Sequence, residues 1–327
     1  MNQHRLQTEG DGPILIYYTT DVHGSTLCFK KFLNAGRFYE ADVVILGGDI
    51  TGKLIVPIIE QSNGVYTCKH LGTTYDLKSK EELAQIRKRI EDQGYYPLIT
   101  DDKKIEDFRT HPSKLDELFT ELIGKRVEEW IQLADDRLKG QRFACYVQPG
   151  NDDRYAIDPV LEKSHRIINP DGKILQVDKD HEMINMGHAN ITPWDCPRDE
   201  PEEKLAERID KMASQVKNMK NCIFNFHCPP YDTNLDVAPK LDKNLKPIII
   251  ATGVETIHVG SVAVRKAIDR YQPLLGLHGH IHESKAVQSL NRTLALNPGS
   301  EYGEGVLRGA LIELNEKKIR NHAFVQG

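Results

Sequence analysis

The chain has 327 residues, of which 39% are hydrophobic and 28% charged, with a formal net charge of −5 and a pI of about 6.2. A chain of this length and apolar share can bury a sizeable core, while its acidic balance argues against a nucleic-acid partner held by its phosphate backbone. No apolar run reaches the roughly 18 residues of a membrane span, residues 1–12 lack a signal segment, and the six cysteines form no C-x-x-C pair, so the expected form is reduced, cytoplasmic and without a membrane partner.

In chain order, the apolar residues 14–18 predict a strand, and the loop after it carries Asp21 and His23. A helix is expected over 26–35, closed by Gly36, and a second strand over 41–46 runs into Gly47-Gly48-Asp49. Residues 64–111 break the alternation, with extended stretches at 65–71 and 94–100 around a charged helix at 79–92. They read as a small α+β subdomain inserted into a single domain of 1–327. Its expected place is near the mouth of the site, with a homo-oligomer contact as the alternative role.

Ser113 opens a long helix to about Leu138, with Asp116 completing a capping box and Leu115, Leu118, Leu122, Trp130 and Leu133 on its apolar stripe. A strand at 142–147 leads into Pro149-Gly150-Asn151-Asp152-Asp153. Short strands fill 166–188, a polar helix covers 202–220, and the next strand ends at His227. Residues 229–246, rich in Pro and Asp, are expected to be irregular and to contact substrate. Ser261 caps a helix over 262–271. An apolar run then enters Gly279-His280-Ile281-His282, followed by a strand at 293–296, the turn Asn297-Pro298-Gly299-Ser300, and terminal strands near 309–314 and 319–325.

Five of these apolar runs end in metal-type donors: Asp21 with His23, Asp49, Asn151, His227, and His280 with His282. Taken singly, each is an ordinary turn or partly buried residue. Together they place oxygen and nitrogen donors beyond the carboxyl ends of five strands, where open α/β sheets bind ligands. His258 is the candidate substrate contact outside this set, because it precedes a helix N-terminus, which favours anions. Cys228, His70 and His278 are given no role.

The series D-x-H (Asp21, His23), G-G-D (Gly47 to Asp49), G-N-x-D (Gly150, Asn151, Asp153), a lone His227 and G-H-x-H (Gly279, His280, His282) resembles the calcineurin-like metallophosphoesterases, as does N-P-G-S at 297–300. That resemblance implies an α/β fold, a four-layer α/β/β/α sandwich of two mixed β-sheets flanked by helices. It implies one metal on Asp21, His23, Asp49 and His282, and a second on Asp49, Asn151, His227 and His280, with Asp49 bridging. Imidazole and carboxylate donors without thiolate suit Mn first, with Fe, Zn or Co as alternatives. Two divalent ions ~3.5–4 Å apart serve a bridging hydroxide attacking a phosphate.

The implied function is a metal-dependent phosphoric ester hydrolase, a phosphodiesterase on a small soluble phosphate ester such as a nucleotide. A phosphomonoesterase or nuclease of the same fold is the second reading, and a non-catalytic scaffold the third; the filled ligand positions favour an enzyme. Asp49, Asn151 and Asp152 are the expected catalytic residues, with Asn151 also on the substrate. Many family members carry His where this chain has Asp152. An ionised Asp152 repels a dianionic monoester more than a monoanionic diester, which is the reason for expecting diesters. Protein Ser/Thr phosphatases carry V-D-R-G after the second aspartate, where this chain reads Ile50-Thr51-Gly52-Lys53.

Overall fold

The computed structural model describes residues 12–61 and 64–327; the signal-segment reading at the N-terminus falls largely outside them. Its core is two six-stranded mixed sheets. In the first, the strands Ile14–Thr19, Val43–Leu46, Ala144–Val147 and Ile167–Ile168 run parallel, and the antiparallel pair Arg308–Asn315 and Lys318–Gln326 adds to the other side of Ile14–Thr19. In the second, Glu182–Met186, Ile223–Phe226, Leu275–Leu277 and Thr293–Asn297 run parallel, edged by antiparallel Ile174–Gln176 and Ala286–Leu290.

Alternation along each strand divides its side chains between two faces. Ile16, Tyr18, Val43, Ile45 and Tyr146 meet Met183, Ile223, Leu275, Leu277 and Leu296 between the sheets. The opposite face of the first sheet, with Tyr17, Val44 and Cys145, is covered by helices α1 (Thr26–Phe38) and α4 (Pro112–Arg137), where the Phe29 and Trp130 rings stack 4.1 Å apart. The opposite face of the second, with Phe224 and Phe226, is covered by α6 (Glu202–Ala213) and α7 (Val262–Tyr271). The layering is therefore α/β/β/α. All six cysteines are free, and among the described residues no helix is long and apolar enough to cross a membrane.

A third sheet of four strands stands apart from these two. It is built from Ile55–Glu60, Tyr66–His70, Thr73–Leu77 and Tyr96–Thr100. Its first strand thus precedes the stretch 64–111. Helix α2 (Lys80–Asp92) packs Ile86 and Ile90 on Val56 and Ile58. Helix α3 (Asp102–Thr110) follows and was not expected from sequence; it buries none of its residues and offers only Ile105 and Phe108 as an apolar pair.

Other expectations are corrected. α1 runs through Gly36 to Phe38, because Gly36 is there to admit the Phe143 ring, on which a Cβ would collide, and not to cap the helix. α4 begins at Pro112 with no side-chain cap, so Ser113 and Asp116 form no capping box. Leu115 on its stripe is exposed, and Ile123, Val127 and Ile131 pack the core with Trp130. A single turn, α5 (Asp158–Leu161), follows Asn151's loop. α6 stops at Ala213, well short of residue 220. The segment 229–246 is not wholly irregular, since Val237–Pro239 pairs with Thr256–His258.

Candidate metal centre

The loops that leave the parallel strands are bonded to one another through their backbones. Asp21 N donates to Gly48 O at 3.0 Å, His23 N to Asp49 O at 2.9 Å, and Gly279 N to His227 O at 2.9 Å. Asp153 ties two loops by accepting from Ile50 N, Thr51 N and Gly150 N at 2.7–2.9 Å. Burial and the neighbouring Asp49 carboxylate raise Asp153 to about 6 despite these bonds. Asn297 holds the G-H-x-H loop, its amide donating to Gly279 O and Ile281 O, while Ser300 Oγ donates to Asp21 O at 2.6 Å. N-P-G-S is thus a brace behind the donors.

Steric room comes from the glycines of the motifs. A Cβ on Gly48 would overlap the His227 ring, and one on Gly150 would overlap Asp49. Asp21, His23, Asp49 and His280 all have left-handed backbones, with φ of 55°, 38°, 49° and 68°. Such conformations persist in non-glycine residues only where their surroundings enforce them, and they gather at functional sites.

The structure brings the donors into two adjoining groups. Asp21, His23 and His282 form one, and Asp49, His227 and His280 the other; within each, one donor atom per residue lies within 4.8 Å of the rest. His282 Nε2 is 3.4 Å from Asp21 Oδ1 and 3.0 Å from His23 Nε2. His227 Nε2 is 3.3 Å from Asp49 Oδ1. The groups touch through His23 Nε2 to Asp49 Oδ2 at 3.6 Å and His227 Nε2 to Asp21 Oδ1 at 3.8 Å.

Asn151 lies in this region too. Its amide donates to Asp199 Oδ1 at 2.9 Å, and Asp199 Oδ2 is fixed by Thr192 and by Cys196 N. That leaves Asn151 Oδ1 buried and without a hydrogen-bond partner, as are His23 Nδ1 and His227 Nε2, whose nearest polar neighbours are the carboxylates of Asp152 and Asp49. His227 Nδ1 faces Gly47 O at 3.2 Å, a bond that fixes the ring and frees the other nitrogen.

The charge balance points the same way. Burial would push Asp21 and Asp49 up, but the neighbouring histidines outweigh it and hold both carboxyls below their ordinary value. Burial also works against a charge on His227, yet Asp49 and Asp21 raise it to about 9. His280 is lowered to about 4 by burial, then by His227. Two ionised carboxylates in a pocket closed to water need positive charge, and the Nε2 atoms of His23 and His282, 3.0 Å apart, both point at one locus. These residues fit divalent cations.

Asp152 stands at the rim, its backbone N donating to Asp49 Oδ1 at 3.0 Å and its carboxylate 3.8 Å from His23 Nδ1. Its partner is Lys53, whose ammonium forms an ion pair with it. Burial would lower Lys53, but Asp49 and Asp152 prevail and hold it above its ordinary value. Cys196 Sγ donates to the same carboxylate at 2.8 Å. The Tyr302 ring lies 4.8 Å from that of His23. Sequence reasoning missed Lys53, Asp199 and Tyr302 as neighbours of the site. Only Lys53, four residues beyond Asp49, offered a positional signal.

The reason for giving His258 a substrate role does not hold. The N-terminus of α7 is already filled by Glu202, which accepts from Ser261 Oγ, Val262 N and Ala263 N at 2.7–3.0 Å. His258 itself is bonded to Asp236 at 2.8 Å. His278 is a brace whose Nδ1 faces Phe226 O, and His70 pairs with Gln93.

The chain belongs to the same family as the uncharacterized protein MJ1162 of Methanocaldococcus jannaschii, being 32% identical to it over 179 residues, 54% of this chain and 72% of that protein. No family model matches. The protein TT1561 of Thermus thermophilus shares the fold, with a TM-score of 0.53 and 14% identity over 96% of this chain and 98% of its own. YfcE, a phosphoesterase from E. coli, is more remote, with a TM-score of 0.33 and 11% identity over 95% of this chain and 98% of its own.

Because Asp199 fixes the Asn151 amide, Asp199→Ala should lower metal affinity about 10–100-fold with little change in fold, as outer-shell losses do. Titration of the metal-free protein with Mn, read by calorimetry, checks this; unchanged affinity would remove Asn151 from the donor set.

Proposed function

We propose that the protein is a metal-dependent phosphoric ester hydrolase. The observation that carries this reading is the pair of Asp/His groups that share a boundary at Asp49, with Asn151 Oδ1 buried and without a hydrogen-bond partner beside them. Asp21, His23 and His282 would hold one ion, and Asn151, His227 and His280 the other, with Asp49 between them. The chemistry that two divalent ions bring to such a site is Lewis-acid polarisation of a phosphoryl oxygen and acidification of water. Mn heads the candidates on donor type.

The residues of the chain do the rest. Asn151 can present its carbonyl oxygen only in the orientation that Asp199 imposes. Lys53 stays protonated and acts as a fixed charge that attracts a phosphate oxygen, not as a proton donor. By neutralising Asp152, Lys53 removes the repulsion on which the expectation of diesters rested. The proposal therefore stands at the level of phosphoric esters, diesters and monoesters alike.

Hydrolysis of an aryl phosphate monoester and its matched diester, with Mn and with chelator, tests the reading. Turnover is expected with Mn, abolished by chelator and reduced at least ~10³-fold in Asp49→Asn, as loss of a bridging ligand and its electrostatics implies. Turnover that survives both treatments would refute it. A second expectation concerns Lys53→Met. Uncovering the Asp152 charge should lower kcat/KM roughly tenfold on the monoester and less on the diester, because the dianion feels that charge about twice as strongly. Equal losses on both esters would show that Lys53 does not serve to screen Asp152.

A further inference from the structure

The third sheet has two faces, one packed along its length and the other only at one end. Val56 and Ile58 face α2 in a closed apolar cluster. The register that pairs Pro57 with Leu98 puts both on the opposite face. At one end of that face Tyr96 meets Phe119 of α4 edge-on at 5.6 Å, with Ile55 packed on the same cluster. Beyond this contact Pro57 and Leu98, with Phe108 of α3 and Leu115 and Phe119 of α4, line a cavity of about 580 Å³. That volume is in the range of small-molecule sites, which are mainly apolar with a few placed polar groups.

Three observations mark the cavity as a binding site belonging to the metal centre. Lys53 lines it, and the same ammonium pairs with Asp152 beside His23, so one side chain borders both. Thr100, 5% exposed, also lines it, and its hydroxyl is buried without a hydrogen-bond partner. Helix α3 buries no residue of its own, so Phe108 has this cavity as its apolar environment.

We propose that the cavity binds the hydrocarbon part of the substrate, which is then a phosphoric ester of an alcohol bearing an aliphatic chain. The phosphate would lie at the Asp/His groups, with Lys53 at the junction and the chain between the third sheet and α4. The inference rests on the hydrolase reading and narrows it. It also replaces the nucleotide expectation. A nucleobase is selected by several hydrogen-bonding groups left unpaired without it, and here Asp116 is already taken by Arg154. Phe119 is no free stacking platform either, since Arg154 lies 5.0 Å over its ring and Tyr96 meets it edge-on at 5.6 Å.

The test separates the two readings by measuring binding apart from turnover. Calorimetry on the full chain in chelator would compare n-butyl, n-hexyl and n-octyl phosphate, each below its aggregation threshold. Affinity should rise by at least about tenfold from butyl to octyl, because each added methylene leaves water. Leu54→Asp with Leu115→Asp, both at exposed positions that the fold tolerates, should bring that ratio close to one. Ile249→Asp, on an exposed hairpin outside the cavity lining, should keep it. Leu98→Trp, which fills the cavity, gives a second reading should the double variant be unstable. Chain-length independence in the wild type, or dependence that survives both the double variant and Leu98→Trp, would overturn the proposal. Chain-length-dependent binding without turnover of any ester would uphold the cavity and overturn the hydrolase reading.

Discussion

Two buried carboxylates govern the structure around them. Asp21 and Asp49 are 1% and 2% exposed, and they face each other across a cluster of four imidazoles. Burying ionised groups without compensation costs far more than a small domain's net stability allows. The cluster makes sense as a set of donors for cations, and the loops are built to that requirement. The left-handed backbones of Asp21, His23, Asp49 and His280 cost about 1–3 kcal/mol each where not intrinsically tolerated. They are held in place by the loop-to-loop bonds and by the brace at Asn297 and Ser300.

The sheets exist, from this viewpoint, to deliver five strand ends to one point. Parallel strands buried on both faces read as continuous apolar runs, and this is why the strands before Asp21, Asp49 and His227 and their terminal donors were legible in the sequence. The G-G-D and G-N motifs were legible for the same reason: Gly48 and Gly150 leave space that any side chain would fill. The two-sheet sandwich came through the resemblance, whose motif order the strand ends share.

What was illegible has physical causes. Gly36 sits at a plausible helix end yet serves a close contact with Phe143, and sequence cannot tell the two uses of a glycine apart. α3 buries none of its residues, and its apolar side chains are only Ile105 and Phe108, too short a pattern to mark a helix in sequence. The anion-binding N-terminus of α7 is neutralised from within by Glu202, about sixty positions away in the chain, a pairing no local reading could find. Lys53 lies in a loop without periodicity, yet it converts Asp152 from a repulsive charge into half of an ion pair and borders both the Asp/His cluster and the apolar cavity.

The proposed hydrolase needs two metal ions in this cluster with Asp49 shared between them. The most direct measurement is a crystal structure of protein loaded with Mn, with anomalous difference maps at the Mn edge, alongside metal content by mass spectrometry. The account predicts two anomalous peaks ~3.5–4 Å apart, both contacting Asp49, and at most one equivalent of metal retained by Asp49→Asn. A single peak not touching Asp49, or metal bound only elsewhere, would contradict it.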